Sequence, residues 1–287
     1  TLENADVLVR NGRISAVGTG LAAGNATVID AKGRELTPAL FGGITDIGLE
    51  EVSGEQTTVD SAQALGAGTH EMAVHPEFDV TLAFNPASVL IPVARVEGLG
   101  WTMLSAGPTE GGSIIGGQGG VVRLDGSMDP IGPRALFVSI GSGAASLTGN
   151  SRAAQWMVLD QLVDEARGRI SPESKFAMLT PAGRKAFAQF LDRRGLMVFS
   201  VNRASDIVQL LRWSKRQNVR VAVSGGAEAW EVADKLAAAK VPVFLDSLAD
   251  LPQDFDQIGA TLENAARLRA AGVAVAIQGA GSHHARK

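Results

Sequence analysis

His70, His75, His283 and His284 are the only imidazoles in the chain, which has no cysteine and no tyrosine. Thiolate metal sites, disulfides, cysteine nucleophiles and phenolic acids or bases are therefore excluded. A histidine metal site needs rings that converge with a third ligand. His70 and His75 lie beside Glu71 and Glu77 and read as solvated loop side chains. His283 and His284 are adjacent, so at most one of them faces a given site. Carboxylates come next. Asp46, Glu50 and Glu51 follow an apolar run and could bind a cation or act as acid and base. A solvated or arginine-paired loop is the plainer reading, because carboxylates are mostly exposed. Asp246 ends another apolar run. Asp206 suits the first turn of a helix. Arg203 either enters that helix or clamps a carboxylate ligand from beside Asn202. Ser200 and Ser224 also end apolar runs. Neither stands in a Gly-x-Ser-x-Gly elbow, which argues against a serine hydrolase. Residues 107–126 are rich in glycine but lack the Lys-Ser/Thr ending of a phosphate-binding loop. They read as turns or as a lid over a site.

These groups need a scaffold, and the composition supplies one. The chain has 287 residues, 45% hydrophobic and 20% charged, enough for a large core. A net charge of −4 gives no electrostatic case for nucleic acid or an anionic membrane. No run of about 18 apolar residues predicts a transmembrane helix. Residues 7–9, 13–17 and 26–29 are short β-like runs, the first two joined by Asn11-Gly12, a strong hairpin signal. Residues 1–37 thus read as a small antiparallel β module, and residues 38–287 as a second domain. Residues 52–95, with Pro76, Pro86 and Pro92, read as a long loop holding one or two helical turns. Residues 101–104, 121–124 and 135–140 are apolar strands, with a glycine-rich loop over 107–120.

The second half is more regular. Residues 196–201, 219–223, 241–245 and 273–277 are apolar runs that alternate with helical patterns. Ala204, Ile207, Val208 and Leu211 mark one helix face, and Ala229, Val232, Ala233 and Leu236 another. Thr180-Pro181 predicts the start of a helix carrying Phe187, Phe190 and Leu191. Trp156, Trp213 and Trp230 fall in helical patterns and read as packing residues. Apolar strands alternating with helices are parallel and buried on both faces. The predicted fold is α/β, a (β/α)8 TIM-like barrel after a small N-terminal β module; a doubly wound open sheet is the second choice. No helical pattern follows residue 277, which raises the expectation of a barrel incomplete at its C-terminus. Barrel sites form at the C-terminal ends of strands. Those ends offer Asp46, Ser200, Asn202, Ser224, Asp246 and residues 279–284.

The phrases Val7-Leu-Val-Arg-Asn-Gly-Arg-Ile-Ser-Ala-Val-Gly18 and Val28-Ile-Asp-Ala-Lys-Gly-Arg-Glu-Leu-Thr-Pro38 resemble the amidohydrolase superfamily, in particular its imidazolonepropionase-like and prolidase-like branch. The resemblance continues at residues 90–95, Gly116-Gly-Gln-Gly-Gly120, Asn202-Arg-Ala-Ser-Asp206, Gly225-Gly-Ala-Glu-Ala-Trp230 and residues 282–286. It implies a barrel that hydrolyses C–N bonds with one or two divalent metals and an aspartate base. The metal lowers the pKa of its bound water. Such barrels open on a Pro-Gly-Leu-Ile-Asp-x-His-x-His strand, whereas this chain has Pro38-Ala-Leu-Phe-Gly-Gly-Ile-Thr-Asp-Ile-Gly48. The two histidine positions fall on Ile44 and Asp46. Those of the fifth and sixth strands fall on Ser200 and on Ser224 or Gly225. The base aspartate falls on Gly281, beside Ser282 and His283. No bridging Lys or Glu follows the fourth strand.

The resemblance therefore implies a degenerate metal site, and two functions are open. The first is a catalytically silent or altered pseudoenzyme, with no cofactor. It binds a small-molecule ligand through Ser200, Asn202, Arg203 and Ser224, or serves as a homo-oligomer or as partner of an active homologue. The second is an active hydrolase of amide, cyclic amide or dipeptide C–N bonds, with Asp46, Asp246 and His283 as catalytic residues and zinc as its metal. No nucleic acid or membrane partner is expected in either case. The resemblance suggests a periplasmic location, and a cytoplasmic one stays open.

Overall fold

The computed structural model describes residues 2–52, 54–62, 74–246 and 251–278. The chain divides into two compact units, Thr1–Ala39 and Leu40–Lys287. In the first, β1 (Asp6–Arg10) and β2 (Arg13–Gly18) form an antiparallel hairpin with Arg10 opposite Arg13. Asn11 and Gly12 turn it with φ of 50° and 72°. A positive φ at both central positions matches the twist of the flanking strands. The expected third strand over residues 26–29 does not form. Val28 and Ile29 are 72% and 88% exposed, and without a neighbouring ladder an apolar run has nothing to pair or pack against.

The second unit is the predicted α/β barrel. Its eight-stranded sheet runs in the order β3 (Leu40–Thr45), β4 (Leu99–Leu104), β5 (Ile115–Arg123), β6 (Ile131–Ser139), β7 (Leu196–Val201), β8 (Val221–Gly225), β9 (Val243–Asp246) and β10 (Val275–Gln278). Helix α1 (Leu90–Val96) precedes β4, and α2 (Arg152–Ala166) and α3 (Pro181–Leu191) precede β7. Helices α4 (Ala204–Gln217), α5 (Ala233–Ala239) and α6 (Asn264–Ala270) precede β8, β9 and β10. Among the described residues no helix is long and apolar enough to cross a membrane.

One local departure matters. β5 is antiparallel to both β4 and β6, while the other ladders are parallel. It takes in the glycines expected to form a loop. A Cβ at Gly119 would overlap the Leu104 carbonyl oxygen, and Gly117 holds φ at +127° beside Phe78. These glycines let backbones approach closely within a sheet, which composition alone does not separate from a flexible loop.

Two apolar layers hold the barrel. Met103, Ala135, Phe137, Val198 and Ala222 cluster with Phe41, Ile44, Val121, Leu196 and Phe244 and fill its interior. The alternate residues Leu136, Val138, Met197, Phe199 and Val201 pack outward, with Phe187, Ile207, Leu210 and Trp213 from the helices. Thr180 starts α3 as predicted, accepting the Gly183 N–H at 2.9 Å ahead of Pro181. In α4 the buried stripe is Ala204, Ile207, Leu210 and Trp213, with Val208 and Leu211 at its margin. Ala229 and Val232 sit in a 3-10 turn ahead of α5.

Candidate active site at the barrel mouth

The C-terminal ends of the parallel strands set the first feature. Ser139 of β6 is in register with Ser200 of β7, and Ser200 with Ser224 of β8. Two residues earlier on the same strand faces stand Phe137, Val198 and Ala222, which belong to the interior cluster. Alternation therefore aims the three hydroxyls into the mouth, above an apolar plug. Ser224 Oγ accepts from Gln278 Nε2 at 3.2 Å. Ser200 is exposed. Asp46, just past β3, and Asp246, at the end of β9, are half-buried at the same end of the barrel. Asp246 is in register with Gln278.

A cleft of about 200 Å³ opens between the tips of β6 and β7. Its polar lining is Ser139, Ser142, Ser200, Asn202, Asp254 and Asp256. Asn202 Oδ1 accepts the Ala227 N–H at 3.3 Å, and its backbone carbonyl accepts the Glu228 N–H at 3.0 Å, so the segment after β8 holds this residue in place. Asp254 Oδ1 accepts the Asp256 N–H at 2.8 Å. Behind the cleft lies a charge network. Arg152, at the start of α2, donates through Nε to Asp206 Oδ2 at 3.0 Å and through Nη2 to Asp256 Oδ1. Asp256 Oδ2 also accepts the Ser142 N–H at 2.7 Å. Arg203 Nη2 donates to Asp206 Oδ1 at 2.9 Å and is not among the residues lining the cleft.

Burial acts to raise the Asp256 pKa, but hydrogen bonds from Ser142 and the charges of Arg152 and Arg203 outweigh it and hold the group below its ordinary value. The sign follows from linkage. A depressed carboxylate contributes stability that is complete above the unfolded value near 3.9 and lost as pH falls through the lower folded value. Urea unfolding followed from about pH 5 to pH 2 should show Asp256→Asn with a shallower acid-side loss of stability than the native chain. Parallel pH profiles would contradict the assignment.

The acidic cluster at residues 46–51 does not act as one group. Glu51 accepts the Val89 N–H at 2.9 Å, Asn85 Nδ2 at 2.8 Å and Ser88 Oγ at 3.1 Å, at the entry to α1. The Val89 hydrogen bond is the main cause of its lowered pKa, opposed by slight desolvation and aided by Asn85 and Ser88. Glu51 thus holds the chain where α1 begins. His75 Nδ1 lies 3.2 Å from Glu77 Oε1, which also accepts the Thr180 hydroxyl at 2.6 Å. That places His75 in a partly buried contact at the start of α3, not in a solvated loop. Trp213 is buried and donates to Asp160 Oδ1 at 3.0 Å. Trp156 packs partly buried against the outer core, and Trp230 donates to the Gly259 carbonyl at 2.7 Å. His70, Gly281, His283 and His284 lie outside the described residues. Among the described residues, no three His, Cys, Asp or Glu side chains are grouped to hold a metal ion.

Sequence reasoning missed Ser139, Ser142, Arg152, Asp254, Asp256 and Gln278. Two signals were available. Ser139 and Gln278 are the polar residues that end or interrupt apolar runs, as Ser200 and Ser224 are. Asp254 and Asp256 alternate in a turn-rich stretch after Pro252.

Neither a protein-family model nor a curated protein matches the chain. In three dimensions it is similar to the crystal structure of an amidohydrolase from Thermotoga maritima MSB8, with a TM-score of 0.78 and 23% identity. The similarity covers 97% of this chain and 74% of that one. At that identity the likeness shows a shared fold, and function has to be argued from the site.

Proposed function

We propose that this is an amidohydrolase-like barrel of the imidazolonepropionase-like or prolidase-like kind that has lost the usual metal site. In this reading the chain is catalytically silent or altered, and its mouth binds a small molecule. The observation that carries it is the row Ser139, Ser200 and Ser224 at the ends of β6, β7 and β8, with Ile44 in β3. Zinc and related metals take thiolate, imidazole and carboxylate ligands. A neutral hydroxyl is a poor donor and the Ile44 side chain offers none, so the described donor set does not fit such a centre. Asp46 and Asp246 are carboxylates at the strand ends themselves. The 200 Å³ cleft has the hydroxyl, amide and carboxylate groups to hold a small polar ligand, with Ser200 and Asn202 in its lining. We place the chain as a homo-oligomer or beside an active homologue, in keeping with the resemblance.

The competing reading is a C–N hydrolase that uses Asp46, Asp246 and His283. A panel of acyl-amino-acid, dipeptide and cyclic-amide substrates separates the two. No turnover above the uncatalysed rate is expected. Turnover that disappears in Asp46→Ala and Asp246→Ala, with the variants still folded, would establish the competing reading instead.

A further inference from the structure

A closed barrel ordinarily leaves no strand edge unpaired. Here β3 and β10 are the two ends of the sheet order and lie side by side, yet no backbone ladder joins them among the described residues. What joins them is a side chain. Gln278, the last residue of β10, accepts the Ile44 N–H through Oε1 at 3.3 Å. Its Nε2 donates to Ser224 Oγ at 3.2 Å, in β8, on the other side of β9. One planar amide thus reaches both flanks of its own strand.

We infer that the Gln278 side chain is the clasp that closes the barrel mouth, supplying at the β3–β10 seam the acceptor that a ladder supplies elsewhere. A primary amide suits the task because it carries an acceptor and donors on one rigid group. A carboxylate at this place would keep the acceptor and lose the donor. An apolar chain of equal length would lose both. The clasp also sets the role of Ser224. With its oxygen accepting from Gln278, that hydroxyl keeps its own proton to donate into the mouth. The inference rests on the seam itself and stands whether or not the mouth binds a ligand.

Hydrogen exchange of the Ile44 backbone amide, measured by NMR on the full chain, reads the clasp directly. In Gln278→Met this amide should exchange about tenfold faster, while core amides of β7 such as Val198 stay within about threefold of native. Ser224→Ala should leave Ile44 protected, since it removes only the second anchor. Unchanged Ile44 exchange in Gln278→Met would overturn the clasp, and so would equal acceleration at Val198 and Ile44. If Gln278→Met does not fold, Gln278→Glu decides. It retains the acceptor, so Ile44 must remain within about threefold of native, and a tenfold acceleration there contradicts the assignment.

Discussion

Arg152→Met is expected to destabilise the protein by about 3 kcal/mol, read as a lower urea midpoint with an unchanged slope. The side chains of Asp206 and Asp256 are 4% and 6% exposed, and Arg152 is the counter-ion they share. Removing one partner of a buried pair leaves charge that water does not reach, and such losses run to about 3–5 kcal/mol. The lower end applies here. Asp206 keeps Arg203, Asp256 keeps the Ser142 N–H, and Arg152 itself is 32% exposed. Adding Asp256→Asn to Arg152→Met should recover about 1 kcal/mol, because one of the stranded carboxylates becomes neutral. A loss below about 1 kcal/mol for Arg152→Met would show that the network contributes little more than a surface pair does.

Gly119→Ala is expected to cost about 3 kcal/mol or more, or to prevent folding. The new methyl group would meet the Leu104 carbonyl of the neighbouring strand and approach the Phe137 ring at 2.8 Å. The ring can turn, but the carbonyl belongs to a sheet fixed on both sides, so overpacking has nowhere to relax. Gly107→Ala is the control. A Cβ there meets nothing within 4 Å, and its effect should stay within about 0.5 kcal/mol. Thermal unfolding of the two variants distinguishes a strand from a loop: if both are neutral, the close approach at Gly119 is wrong.

That contrast also explains what could be read from the residues alone. Strands β7 and β8 announce themselves as apolar runs because both faces are buried, as at Met197, Val198 and Phe199. In β8, β9 and β10 the structure places the strands two residues later than the apolar runs begin, since the first residues still belong to the turn from the preceding helix. Only the end of β5, within residues 121–124, gave such a signal, and its glycine half did not. Its glycines have no side chains with which to show a period, and their purpose is visible only against Leu104 and Phe78. Ser200, Asn202 and Ser224 could be placed at the mouth because a polar residue ending a buried strand is conspicuous. Arg152, Asp206 and Asp256 could not be joined from sequence. Residues 54 and 104 positions apart meet only after α2, α4 and the turn before α6 have docked. Gln278 was passed over for a similar reason, since its partners Ile44 and Ser224 stand on strands remote in sequence.

The proposal of a barrel without its metal site is tested most directly by elemental analysis of the full chain purified without chelator. Less than about one-tenth of an equivalent of zinc, iron or manganese is expected, where a tight site would approach stoichiometry. Stoichiometric metal that a chelator removes together with amidase activity would contradict it.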